Sequence, residues 1–208
     1  IDQSKNNELL EEFDKIFSKI SSKFEIIDFD KYEMKDEIKV DYQKDIFGNL
    51  SSLLKCFKIA KQCDEDLIFF LEDDYIHKRS LIEEMILTYE RISSQINKEL
   101  ILVPSDYPFL YLEERNTNVI AGSHRHWQTL DKVLCSFMIS KKMLDSYWDN
   151  FFKTCQTHNE PIEKYLNEIC KKEICLSPLP SLSIHMANSN SIFGVSPFVN
   201  VKEEWDNN

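Results

Sequence analysis

Apolar residues recur at spacings of three and four from Leu9 through Phe13, Ile16, Phe17, Ile20 and Phe24. That period predicts a helix over about 5–22. Glu25-Ile26-Ile27-Asp28-Phe29-Asp30 then reads as a short strand ending in acid, and residues 31–45, rich in acids and lysines, read as a loop. Gly48-Asn49 precedes a helical pattern from Leu50 to Lys61, with Asn49 as its expected N-cap.

Leu67-Ile68-Phe69-Phe70-Leu71 is an unbroken apolar run, too short for a helix and right for a strand buried on both faces. It runs directly into Glu72-Asp73-Asp74. Behind the acids, Ser80 and Glu83 have capping-box spacing, and Leu81, Met85, Ile86, Tyr89 and Ile92 form a helical stripe. Glu99–Val103 predicts another strand, stopped by Pro104. Asn118–Ala121 is a short candidate strand, Leu134–Ile139 a buried one, and Leu144, Tyr147, Trp148 and Phe151 mark a helix after it. Asn159-Glu160-Pro161 opens a helix carrying Ile162, Tyr165, Leu166 and Ile169, with proline in the first turn, where its missing N–H costs nothing. Pro178 and Pro180 keep 174–186 from being helical, and the Ser/Asn-rich tail at 187–208 reads as irregular.

Strand and helix alternate through the first half of this order. The expected fold class is therefore α/β, a single domain with a mostly parallel central sheet and helices on both faces. The 208 residues suit one domain, with 42% hydrophobic and 29% charged residues as in an ordinary globular protein. A formal charge of −11 argues against nucleic acid as a partner, so a negatively charged ligand would need a local device such as a cation or a helix N-terminus. No apolar run approaches the roughly 18 residues of a membrane span, and no secretory signal pattern opens the chain. Six cysteines without a C-x-x-C pair read as free thiols of a reducing compartment, and the expected location is cytoplasmic. Ile1-Asp2-Gln3-Ser4 reads like the end of a strand, as in a domain excised from a longer polypeptide.

The strand ending Phe-Leu-Glu-Asp-Asp, the Asn-Glu-Pro before a late helix and the Ser-Pro-Leu-Pro segment leading to Ile-His-Met together resemble a nucleotide-sugar-dependent glycosyltransferase of the GT-A fold. The resemblance covers nearly the whole chain. It implies a Rossmann-like domain with residues 1–103 as the nucleotide-sugar half and 104–186 as the acceptor half. It also implies a divalent metal, Mn²⁺ or Mg²⁺, on the donor diphosphate. In this family a strand-end Asp-x-Asp motif holds that ion. Here Asp74 would be the ligand, Glu72 or Asp73 would reach the ribose or a metal-bound water, and His185 would complete the shell. Glu in the first place of the triplet departs from the pattern.

By the same resemblance, Glu160 would be the base that takes the acceptor hydroxyl's proton in an inverting transfer, with Glu163 as a substitute one turn on. Asp2, Asp28 and Asn49 would face the nucleotide. Arg125 could bind a phosphate, and Trp127 could stack on a sugar or base. Asp106 and Tyr107 would lie on the acceptor side. The implied substrates are a nucleoside-diphosphate sugar and a glycan or lipid-linked acceptor, with peripheral membrane association left open. Two alternatives stand beside this reading. One is a catalytically silent nucleotide-sugar-binding domain. The other is a nucleotidyltransferase, which usually carries a Gly-rich loop that is absent between Asp2 and Ser22.

Overall fold

The computed structural model describes residues 37–39, 45–112, 114–134, 136–186, 192, 194–195 and 199–207. The helix expected over 5–22, the strand at 25–30, Asp2, Asp28 and Cys135 lie outside them. The elements in chain order are α1 (Asp45–Gln62), β1 (Leu67–Phe70), β2 (Tyr75–His77), α2 (Leu81–Ile96) and β3 (Leu100–Leu102). After a 3₁₀ turn (Pro108–Tyr111) come β4 (Val119–Ala121), β5 (His126–Leu130), β6 (Phe137–Ser140), α3 (Lys141–Ser146) and α4 (Trp148–Gln156). The chain continues through α5 (Lys164–Cys170), β7 (Ile174–Leu179), β8 (Ser183–His185) and α6 (Val201–Asn207).

Six strands form one sheet in the order β1-β6-β3-β7-β5-β4, and β2 pairs with β8 in a separate ribbon. Among the described residues, only β3 and β7 are parallel neighbours in the larger sheet. The pairs β1 with β6, β6 with β3, β7 with β5 and β5 with β4 are antiparallel. The expected mostly parallel Rossmann-like GT-A sheet is thus corrected to a mixed, mostly antiparallel one. An apolar run such as Leu67–Phe70 reports that both faces of a strand are covered, and it carries no information on direction. β6 inserts between β1 and β3 against both, and β5 beside β7 is too polar in sequence to announce itself as a strand.

Both faces of the sheet are covered, as the apolar runs require. Ile68, Phe70, Ile101, Phe137, Ile139 and Cys175 face a core shared with α1, α4 and α5. Leu100, Leu102, Met138 and Leu176 face α2, which contributes Leu81, Met85, Tyr89 and Ile92. Consecutive residues point to opposite faces, so one short strand feeds both cores. Phe57 of α1 meets Phe70 of β1 and Phe151 of α4 edge-on, each at 5.0 Å between ring centroids. Such contacts contribute roughly 0.5–1.5 kcal/mol each beyond area burial, and they fix the end of β1.

Local signals mattered less than packing at several helix ends. α1 begins before Gly48-Asn49, so Asn49 is an exposed residue within the helix and not its cap. Ser80 precedes α2 without a side-chain capping bond, and the capping box is not made. At the other end Asn97 is left-handed, with φ 51°, and its N–H closes on the Ser93 carbonyl. The tail expected to be irregular contains α6, which Lys78 ties to the body through an ion pair with Glu204.

The Ser-Pro-Leu-Pro segment has a structural logic of its own. After β7 the chain crosses the end of β3 to become β8, and Leu182 N–H and Ser183 N–H both donate to the Pro104 carbonyl, at 2.9 and 3.1 Å. Ser105 Oγ and Ser181 Oγ donate to the Ser183 carbonyl, Ser177 Oγ donates to the Ser105 carbonyl, and Ser181 Oγ accepts from Asp106 N–H. All four serines are fully buried. The hydroxyls of Ser105, Ser177 and Ser181 satisfy backbone groups along the crossing, while that of Ser183 pairs with His77 Nδ1, which allows an irregular crossing inside the protein.

Candidate functional site

The C-terminal ends of β1, β3 and β7 emerge on one edge of the sheet, as the pairing directions dictate. β1 delivers the acidic triplet there. Glu72 N–H donates to Ser136 Oγ at 3.0 Å, and the Asp74 carbonyl accepts from Met186 N–H at 2.8 Å. Asp73 is exposed, while Glu72 and Asp74 are half-buried.

The β2–β8 ribbon sets Tyr75 opposite His185. His185 Nε2 lies 3.0 Å from Asp74 Oδ2, and its ring stacks on that of Tyr75 at 4.7 Å. Asp74 Oδ1 is closed off from solvent and has no hydrogen-bond partner. A buried acceptor left unmade costs roughly 1–3 kcal/mol, so this oxygen asks for a ligand that the protein does not supply. An oxygen donor beside an imidazole suits Mn²⁺, and the oxygen suits Mg²⁺. Among the described residues, no three His, Cys, Asp or Glu side chains gather as a metal-holding group. The chain therefore offers a pair of ligands and not a cage. Ions of this kind are often held by one or two carboxylates together with substrate phosphates.

Burial raises the Glu72 carboxyl to about 7, with the charges of Asp74 and Glu163 adding, His185 opposing and Asp73 adding slightly. Glu163, half-buried just before α5, thus acts on the same space as the triplet. Glu160 does not: its side chain is 88% exposed, with His158 Nε2 at 3.5 Å. Tyr75 Oη and Tyr107 Oη share a hydrogen bond of 2.7 Å, and burial pushes the Tyr75 phenol far above its ordinary range. Next to Tyr107, Asp106 is buried, its carboxylate accepting from Tyr111 Oη at 2.8 and 2.7 Å and from Gln128 Nε2 at 2.9 Å.

Arg125 and Trp127 lie elsewhere. Trp127 is fully buried, and its indole N–H donates to Glu84 Oε1 at 3.2 Å, which leaves no ring face exposed for stacking. Arg125 Nη1 donates to the Pro180 carbonyl at 3.1 Å, beyond the end of the ribbon where Lys78 N–H meets the Leu182 carbonyl. Glu84 itself escaped sequence reasoning. Its signal is position: it falls inside the apolar stripe of α2, three residues after Leu81, where a carboxylate must be buried and satisfied.

Among the described residues no helix is long and apolar enough to cross a membrane. No family model matches the chain, and no curated protein matches it.

Proposed function

We propose that this domain is a metal-dependent glycosyltransferase, inverting in stereochemistry, that moves a sugar from a nucleoside diphosphate to a glycan or lipid-linked acceptor. The observation that carries the reading is the pairing of Asp74 with His185 at the end of β1, with Asp74 Oδ1 buried and unpartnered. Asp74 and His185 would hold the cation. When bound, Mn²⁺ or Mg²⁺ would neutralise charge developing on the departing diphosphate. Glu72, whose carboxyl is raised by burial and by the Asp74 charge while no cation is bound, would reach the donor's ribose or a metal-bound water.

Glu163 is the better-placed general base, because its charge reaches the triplet while Glu160 points into solvent. It would accept the acceptor hydroxyl's proton as that oxygen attacks the anomeric carbon. The free state of the five described cysteines supports work in a reducing compartment, the cytoplasm.

The direct Asp74–His185 hydrogen bond favours one second reading, a catalytically silent domain in which the imidazole occupies the cation's place. A panel of nucleoside-diphosphate sugars, assayed for transfer with Mn²⁺ and with EDTA, separates the two. Transfer that needs the metal and is lost in Asp74→Ala supports the enzyme; full activity in EDTA or in that variant sinks it. Donor binding without hydrolysis or transfer supports the silent domain.

A further inference from the structure

A second site lies apart from the acidic triplet. A cavity of about 260 Å³ is walled by Ser80, Glu83 and Glu84 at the start of α2, by His124, Arg125 and His126 of the β4–β5 hairpin, and by Leu179 and Pro180. None of its lining residues belongs to the Asp74 cluster, which sits at the opposite end of the β2–β8 ribbon.

The hairpin wall is held rigidly. Gly122 N–H donates to the Arg125 carbonyl at 2.8 Å and closes the turn. Ser123 N–H donates to Thr88 Oγ1 at 2.9 Å, and His124 N–H donates to Glu84 Oε2 at 2.8 Å. Glu84 also accepts from Thr88 Oγ1 and from the Trp127 indole, and pairs with His124 Nδ1 at 3.0 Å. Burial alone would raise its carboxyl, but the bonds from Trp127, His124 and Thr88 outweigh that and hold it below the usual range. Two buried side chains of α2 thus bolt down a surface turn, and the turn presents Arg125 between two histidines. A wall fixed in advance loses little freedom when a ligand arrives.

Charge selects the ligand class. In a chain of net charge −11, an acceptor-only anion such as phosphate would meet the exposed Glu83 carboxylate and the Glu84 carboxylate behind it, whose own oxygens are already taken by Thr88, His124 and Trp127, and a cation would meet Arg125. A neutral polyol meets neither penalty. Each hydroxyl both donates and accepts, Glu83 only accepts, Arg125 only donates, and Ser80 and His126 do both. Leu179 and Pro180 supply an apolar patch for the C–H face of a ring. The volume lies just below the roughly 300–1,000 Å³ of drug-sized pockets, which suits one sugar ring.

We propose that this cavity binds a single neutral monosaccharide unit, held by Glu83 and Arg125 across vicinal hydroxyls. The site does not rest on the glycosyl-transfer reading, since a domain without turnover would use it in the same way.

The test titrates the whole chain with methyl glycosides of glucose, galactose, mannose and N-acetylglucosamine, and separately with inorganic phosphate, followed by NMR. At least one glycoside should saturate in the roughly millimolar range. It should bind about tenfold or more weakly to Arg125→Ala and Glu83→Gln, whose lost bonds are charge-assisted, and unchanged to Asp74→Ala. Glu83 is exposed, so its variant keeps the fold and answers the question even if Arg125→Ala does not. Saturation by no glycoside, equal binding by both cavity variants, loss in Asp74→Ala instead, or saturable phosphate that displaces the sugar would each overturn the proposal.

Discussion

His185 Nε2 stands 3.0 Å from Asp74 Oδ2 across a sequence separation of 111 residues, and the ribbon of β2 with β8 brings them together. Replacing Asp74 by Ala removes the hydrogen bond to His185 and, with it, a buried oxygen that has no partner. The first is worth roughly 1.5–3 kcal/mol and the second costs roughly 1–3 kcal/mol, so the terms nearly cancel. Asp74→Ala should therefore melt within a few degrees of the parent while losing Mn²⁺ binding, read by calorimetry. His185→Ala should weaken Mn²⁺ by at least the ~10–100-fold that even an outer-shell partner is worth. Unchanged Mn²⁺ affinity in both variants would remove the metal from this site.

The two late carboxylates make opposite predictions. Glu163 shares its electrostatic surroundings with Glu72, whereas Glu160 is almost fully exposed. Glu163→Gln should lower kcat by roughly 10²–10⁴-fold, and Glu160→Gln should leave it nearly unchanged. Donor binding should survive in both. The reverse pattern would return the base role to Glu160.

Asp106 predicts a pH dependence of stability. Burial raises its carboxyl from an ordinary 3.8 to about 6, against the opposing hydrogen bond of Tyr111, the Arg115 charge and the bond from Gln128. A raised folded pKa means that the native state holds the proton more tightly than the unfolded chain. The resulting stability is complete below about 4 and is lost as pH rises towards 6. The gap corresponds to up to roughly 3 kcal/mol. Urea unfolding between pH 4 and pH 7 should show this decline in the parent and a flatter profile in Asp106→Asn. Parallel profiles would mean that the carboxylate is stabilised by its donors Tyr111 and Gln128 and carries no burial penalty.

What the sequence discloses follows from what each residue's surroundings require of it. Leu67–Phe70 must be covered on both faces whichever way its neighbours run, so the strand and its acidic end are legible and the sheet direction is not. His126-Trp127-Gln128-Thr129-Leu130 is a strand whose polar members hide it, because Gln128 is buried by bonding Asp106 and not by being apolar. Asp74 and His185 stand out as candidates by type, yet only the β2–β8 pairing joins them, and Tyr75-Ile76-His77 is too short to predict. Asn49 follows a glycine in a cap-like pattern, but tertiary packing of Phe47 and Leu50 carries the helix through it.

Gly122 tests how far the buried Glu84 cluster organises the β4–β5 hairpin. Its backbone is not left-handed, so the reason for glycine is space alone. A methyl group built there would overlap Cδ1 and Nε1 of Trp127 and stand 2.7 Å from Thr88 Oγ1. Trp127 cannot retreat, because it is fully buried and its Nε1 is committed to Glu84, and Thr88 Oγ1 is engaged by both Glu84 and Ser123 N–H. The turn itself would have to move, breaking bonds that satisfy the Glu84 carboxylate. Gly122→Ala should thus cost the roughly 1–3 kcal/mol of ordinary overpacking, and more where Glu84 loses donors. The near-UV signal of Trp127 should change before the global transition in urea. Glu84→Gln, which keeps the shape but removes the charge, should reproduce part of this loss and leave the indole packed. If Gly122→Ala unfolds like the parent with an unaltered tryptophan spectrum, the hairpin is free to shift, and the rigid wall of the sugar cavity goes with it.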